Sequence, residues 1–530
     1  MRFKILAGFT LLCVLSACGG ASETPMAMIP PTTTPTPRPT STPELISTAR
    51  FDESACSFVL PEDYTQGENV TCGYLVVPEN RDQLPSRAIR LAVGIFHPEG
   101  GARYPDPIIY LSGGPGGSVL ETLRYQFEDS FAPVLKAAQR DLIIFDQRGV
   151  GRSEPALDCP NWTALSLELL DGELDGRQVG DEEAAALTVD ALQTCAANLS
   201  QIADLTAYNS ASNAADVQDL RRALGYEQVN LWGISYGTRL ALTAMRDVPE
   251  GMRSVVLDSV YPPDVDLYLE GPANFKRSLD LLLDSCAANS VCNENYPDLR
   301  AVFFDTVDQL NAQPAASTIT NTLTGQAYTT TLTGDTLLGF VFQVLYETEF
   351  KYLLPQLIYD ARENNLLVLD RIRGALSANM TVSSRGMMLA VQCNEEIPFS
   401  SVAEYEAALA RYPDLAGFYE NTIMGKMAYR ACAGWDVGHA AAIENLPVSS
   451  DIPTLVMTGE FDPVTPPAWG ARAAKTLTNG YFFEYPGVGH GASVVAGCPR
   501  DMMLAFLSNP AAAPDDSCIA GMGYAQSDNE

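Results

Sequence analysis

Val229-Asn230-Leu231-Trp232-Gly233-Ile234-Ser235-Tyr236-Gly237-Thr238-Arg239-Leu240-Ala241-Leu242 decides how this chain reads. The run before Gly233 is apolar and strand-like, and the residues after Tyr236 carry a helical pattern. Between them, Gly233-x-Ser235-x-Gly237 marks a nucleophile elbow, a tight strand-to-helix turn. The two glycines let strand and helix approach closely, and Ser235 is expected on a strained turn with its hydroxyl pointing out. A hydroxyl is a weak nucleophile at neutral pH, so it needs a general base and an acid that orients the base. The pentapeptide alone says little, since small residues surround many serines.

Working outward, short strands alternate with helical segments. Gly73–Val77 and Ile89–Phe96 suit an antiparallel pair at a sheet edge. Pro107–Leu111 and Asp141–Asp146 read as buried strands, and a helical insert is expected over about 158–205. Asn213–Gly225 reads as the helix leading to the elbow strand, and Ser254–Asp258 as the next strand after it. From about 263 to 449 the strand rhythm gives way to helical patterning, as in Gly334–Leu354 and Val402–Ala410. It resumes at Pro453–Gly459 and Gly480–Tyr485. The fold class is α/β: a mostly parallel sheet with helices on both faces, interrupted by a mainly helical cap. The cap aromatics Phe340, Phe342, Tyr346, Phe350 and Tyr352 read as helix packing rather than substrate contacts.

Partners for Ser235 follow by order and placement. The chain has three histidines, His97, His439 and His490. His97 precedes the elbow and His439 falls in the cap. His490 lies in a glycine loop after the last strand, downstream of Asp462 in the turn after Pro453–Gly459. Enzymes built on this elbow carry their triad in the order Ser, Asp, His, which selects Ser235, Asp462 and His490. Ser112-Gly113-Gly114-Pro115-Gly116-Gly117 follows a strand and can offer bare backbone N–H groups to an oxyanion. It lacks the Gly-Lys-Ser/Thr of a phosphate loop. Asp146 and Arg148 read as residues that pin loops near the site.

Composition narrows the class. The net charge of −32 over 530 residues argues against nucleic acid as a partner, because phosphate binding needs clustered Lys and Arg. An acidic surface can also draw cationic substrates such as free peptide amino termini, although a soluble exported surface explains it as well. Met1–Lys4 is short and basic, Ile5–Leu15 is apolar but too short to span a bilayer, and Leu15-Ser16-Ala17-Cys18 follows. This resembles a bacterial lipoprotein signal, with Cys18 the acylated first mature residue. A Pro/Thr tract then forms an extended spacer. Beyond Cys13 and Cys18, ten cysteines remain, an even number that in an exported protein implies disulfides. Pairing sequence neighbours gives Cys56–Cys72, Cys159–Cys195, Cys286–Cys292, Cys393–Cys432 and Cys498–Cys518, although sequence does not determine connectivity. No C-x-x-C or H-E-x-x-H points to zinc, and no metal or other cofactor is implied.

Gly113-Gly114-Pro115-Gly116, Asp146-Gln147-Arg148-Gly149, Gly233-Ile234-Ser235-Tyr236-Gly237-Thr238, Asp462-Pro463-Val464-Thr465-Pro466 and Gly489-His490-Gly491 together resemble the α/β-hydrolase peptidases. That family includes prolyl iminopeptidases and tripeptidyl aminopeptidases, and the resemblance runs from about Cys56 to Leu507. Prolyl iminopeptidases typically carry His before Gly-Gly-Pro-Gly. Ser112 stands there in this chain, which is more similar to the tripeptidyl branch. The resemblance implies acyl transfer on Ser235, with His490 as base, Asp462 orienting it, and the N–H groups of Gly114 and Tyr236 as oxyanion hole. It also implies acidic cap residues that hold the substrate ammonium, for which Glu395 and Glu396 are the candidates.

The domain reading is therefore a signal (1–17), a lipidated tether (18–50), a first core part (51–262), a cap (263–449) and a second core part (450–530). The expected partners are peptides with a free N-terminus and, through the lipid alone, a membrane. The protein is expected outside the cytoplasmic membrane; oligomeric state is not legible. Two other readings stay open: an esterase or lipase with the same triad, and a substrate-binding lipoprotein with a dead site.

Overall fold

The computed structural model describes residues 44–377, 382–420 and 422–523. The expected signal, Cys18 and the Pro/Thr tract up to residue 43 lie outside them. Ten strands form the main sheet: β1 (Leu45–Ile46), β2 (Arg50–Glu53), β3 (Val70–Pro78), β4 (Ser86–Phe96), β5 (Ile108–Leu111), β6 (Leu142–Phe145), β9 (Val229–Ile234), β10 (Met252–Asp258), β13 (Thr454–Gly459) and β14 (Gly480–Tyr485). Small hairpins supply the others, β7 (Glu173–Leu174) with β8 (Arg177–Gln178), and β11 (Ala315–Thr320) with β12 (Ala327–Leu332). The sheet order is β14-β13-β10-β9-β5-β6-β4-β3-β2, with β1 on β4. From β14 to β6 all neighbours are parallel; β4, β3 and β2 continue antiparallel.

Alternate residues of each strand serve different cores, as a pleated strand requires. Ile109, Leu111 and Leu231 pack on one face, and Ile108, Trp232 and Ile234 on the other. Register then aligns the functional ends. Leu111 pairs with Gly233, Gly233 with Leu257, and Gly459 with Tyr485, so the loops after β5, β9, β10, β13 and β14 leave one edge of the sheet.

One expectation changes. The folded region begins before residue 51, because β1 and Arg50 of β2 already pair with β4 and β3. The cap is mainly helical, as expected, and also carries the hairpin β11–β12, with Thr-rich strands that suit a half-buried pleat. Asn321 accepts from the N–H groups of Leu323 and Thr324 and shapes the turn.

A third hydrophobic cluster, built from cap helices, is distinct from the two sheet cores, yet Phe461 of the core belongs to it. The five disulfides join the sequence neighbours named above. Among the described residues no helix is long and apolar enough to cross a membrane.

Trp232 is fully buried, stands edge-on to Tyr110 and Phe131, and donates its indole N–H to Ser493 Oγ at 2.9 Å. Trp232→Ala is expected to cost about 3–5 kcal/mol, read from the urea midpoint. A loss below about 1 kcal/mol would mean that this face of the sheet repacks freely.

Candidate active site

The elbow forms because no side chain fits at its glycines. A Cβ at Gly233 would stand 2.4 Å from the Gly237 carbonyl oxygen, and one at Gly237 only 2.0 Å from that of Leu111. Strand, helix and neighbouring strand thus touch backbone to backbone. Ser235 takes φ 59° and ψ −126°, a conformation that L-residues rarely adopt. Its N–H donates to Asp258 O, and its carbonyl accepts from Thr238 N and Oγ1, which hold the turn. Gly113 lies against it, since a Cβ there would approach Ser235 Cβ to 2.9 Å.

His490 Nδ1 lies 2.8 Å from Asp462 Oδ2. Asp462 is fully buried and its carboxylate is saturated: Oδ1 accepts from Val464 N and Thr465 N, and Oδ2 also from Thr465 Oγ1 at 2.6 Å. Burial alone would push its pKa up, but His490 and the Thr465 hydrogen bonds hold it below the ordinary carboxylate value. Asp462 therefore stays ionised, which fixes the proton on His490 Nδ1 and leaves Nε2 as the acceptor. Nε2 is buried and has no hydrogen-bond partner among the described residues. Ser235 has the Tyr346 phenol within hydrogen-bonding reach.

The cap closes over this centre. Its helix Gly334–Tyr346 ends where Tyr346 stacks on the His490 ring, centroids 3.9 Å apart, and Tyr346 O accepts from His490 N. Tyr346 is therefore a site residue, unlike Phe340 and Phe342, which pack inside the cap. Only the break of the helical pattern at Glu347-Thr348-Glu349 hinted at it. Asp258 closes β10. Its carboxylate accepts from Ala492 N, Ser493 N and Ser493 Oγ and anchors the His490 loop.

Asp146 holds the start of the helix that follows the Gly113–Gly117 loop. Its buried carboxylate accepts from Ser118 Oγ, Val119 N, Leu120 N and Arg152 N, and burial pushes its pKa up to about 6. Gln147 Nε2 donates to Ser112 O and Oγ. Arg148 acts farther away, on Asp216 and the Glu79 and Ala207 carbonyls. Among the described residues, neither the Gly114 nor the Tyr236 N–H has a protein acceptor.

Glu395 and Glu396 come together, but not as open anchors. Both are buried against Arg239, one turn beyond Ser235: Nε lies 3.1 Å from Glu395 Oε2, and Nη1 2.6 Å from Glu396 Oε1. Glu395 also accepts from Ser210 N and Oγ, and Glu396 from Leu267 N. The physical reason is Arg239 itself: the elbow helix is buried, and a guanidinium inside it needs carboxylates around it. A different carboxylate stands beside the base. The carboxylate of Glu347, next to Tyr346, has no hydrogen bond or ion pair among the described residues; burial and Glu349 push its pKa up, and His490 opposes them.

With this geometry in place, comparison with known proteins supplies the class. A family model described as alpha/beta hydrolase fold matches residues 106–496, and the chain belongs to that family. Serine protease Hip1 of Mycobacterium tuberculosis is 24% identical over 433 residues, covering 79% of this chain and 81% of that one. Tripeptidyl aminopeptidase of Streptomyces lividans is 28% identical over 205 residues, 38% of each chain. Carboxylesterase B of M. tuberculosis is 26% identical over 430 residues, covering 78% of this chain and 79% of that one.

Burial pushes Glu396 up to about 7, against the pull of Arg239 and a hydrogen bond from Tyr261. A carboxyl raised on folding binds more protons in the native state, so it lowers stability as pH rises from its unfolded value to about 7. Glu396→Gln is expected to flatten the decline of the thermal midpoint over that window. Asp146, raised in the same direction, leaves a residual slope. An unaltered slope in the variant would place the excess proton elsewhere.

Proposed function

We propose that this protein is an extracytoplasmic serine aminopeptidase that releases short peptides or N-terminal residues through an acyl-enzyme on Ser235. The observation that carries it is the buried Asp462–His490 pair, whose Nε2 has no partner among the described residues and whose ring stacks on Tyr346, the residue within reach of the elbow serine. His490 takes the Ser235 proton as the hydroxyl attacks the scissile carbonyl, and Asp462 stabilises the imidazolium. The N–H groups of Gly114 and Tyr236 receive the oxyanion. His490 then protonates the leaving amine, and water attacks the acyl-enzyme by the reverse route. The relatives named serine protease and tripeptidyl aminopeptidase support peptides as substrates. The disulfides support an extracytoplasmic setting, and the Cys18 signal supports a lipid anchor to the membrane.

Glu347 replaces Glu395 and Glu396 as the anchor for the substrate ammonium. It adjoins the residue that stacks on His490 and its carboxylate is unpaired, whereas the other two already neutralise Arg239. Esterase activity is the second reading, supported by the relative named carboxylesterase.

One substrate panel decides between them: an Ala-Ala-Pro amide, its N-acetylated form, single-residue amides and a butyrate ester. Ser235→Ala and His490→Ala should each lower turnover on the order of a million-fold. Cleavage of the free tripeptidyl amide but not of the acetylated one is the expected result; turnover of the ester alone would overturn the substrate class. Glu347→Gln should raise KM for free-amine peptides about tenfold or more and leave ester hydrolysis unchanged. If Glu396→Gln does so instead, the anchor returns to Glu396. Cys18→Ala should move the protein from the membrane fraction to the soluble one.

A further inference from the structure

The loop that carries Asp462 is held from the cap side by one helix. Asn274, Arg277 and Ser278 lie on one face of the cap's first helix, Leu267–Ala288, at the spacing that puts side chains side by side. All three donate to backbone carbonyls of the acid loop. Arg277 Nη1 reaches Glu460 O and Nη2 reaches Asp462 O, each at 2.7 Å. Ser278 Oγ donates to Phe461 O, and Asn274 Nδ2 to Val464 O at 3.1 Å. Four carbonyls within five residues are thus fastened to a single helix. Phe461, between two of them, packs into the hydrophobic core of the cap. The other half of the pair is gripped from the cap as well, with Gly489 N on Thr348 Oγ1 and His490 N on Tyr346 O.

We propose that the helix Leu267–Ala288 is a fixed part of the catalytic apparatus, with Arg277 as the positioning residue that sets the Asp462 carboxylate against His490. The inference rests on the role given above to Asp462. Turns after a strand are the more mobile parts of such a sheet; the core holds this one through Glu460 N on Tyr485 O and Phe461 N on Val488 O, and the cap helix takes its carbonyls. An arginine bridging the carbonyls before and at Asp462 fixes the backbone from which that side chain projects, and a guanidinium suits two acceptors at once. Substrate entry must then leave this helix in place, because a cap that swung away on it would carry the acid off its base.

Arg277→Ala, Arg277→Lys, Asn274→Ala and Asp462→Ala, made in the full-length protein, test this on the tripeptidyl amide. Arg277→Ala is expected to lower kcat about a hundred-fold with KM little changed, the scale of a misplacement near 1 Å. Arg277→Lys, which reaches one carbonyl, should recover part of the loss. Asn274→Ala, which removes a single contact and leaves the charge, should show a smaller fall of the same kind. The proton between His490 and Asp462 offers a readout that general destabilisation does not move. Its downfield NMR signal, identified by its absence in His490→Ala in a His97→Asn background, should shift or broaden in Arg277→Ala. The background removes the similar His97–Asp141 contact, 2.8 Å. Wild-type kcat with an unmoved signal in folded Arg277→Ala would overturn the inference. So would a loss that tracks the thermal midpoint, leaves the signal intact and is not relieved by lysine. Full activity of Asp462→Ala would instead overturn the role of Asp462, a different failure seen in a different variant.

Discussion

Everything at this site depends on the backbone contact between β5, β9 and the elbow helix. Gly237 sits so close to the Leu111 carbonyl, and Gly233 to that of Gly237, that a single methyl group at either position would force the layers apart. That contact brings the loop after β5 beside Ser235 and sets the depth at which the nucleophile stands. The strained backbone of Ser235 persists because hydrogen bonds on both sides of it, to Asp258 and from Thr238, over-determine the turn.

A second constraint is charge placed where water cannot reach it. Asp146, Asp258 and Asp462 are all fully buried at or beyond the ends of core strands, and each carboxylate is filled with backbone and hydroxyl donors. They do different work because their surroundings differ. Asp146 shapes the loop after β5, Asp258 ties down the loop of His490, and Asp462, which alone of the three bonds the imidazole, is kept ionised by it. Arg239 with Glu395 and Glu396 follows the same logic inside the elbow helix. A pair of adjacent glutamates in a cap is thereby explained by packing before any substrate is considered.

The cap contributes more than cover. Two of its helices meet the centre: Tyr346, at the close of one, stacks on His490, and the middle of the helix from Leu267 fastens the Asp462 loop. Core and cap therefore both hold the loops of Asp462 and His490. This explains why Phe461, a residue of the core strand's own loop, belongs to the hydrophobic cluster of the cap.

How far the chain could be read without coordinates follows from what is local. The elbow and the strands that flank it depend on short-range patterns, and the structure places those elements as read. Backbone demands at Gly233 and Gly237 likewise leave a direct mark on residue type. Other features arise between segments far apart in the chain. The hairpin β11–β12 hides in a stretch whose neighbours are helical, and Tyr346 looked like one more packing aromatic. Glu395 and Glu396 looked free because their partner, Arg239, lies 156 positions away for the first of them. Glu347 and Arg277 carry no motif at all. The sequence by itself determined the α/β scaffold and the order in which the candidate serine, aspartate and histidine fall, since strand ends and glycine turns are written locally. Only the tertiary structure decided which carboxylates are spent on buried arginine, which has no partner near His490, and which helix fastens the Asp462 loop, because burial and partnership are properties of contacts that the chain order does not record.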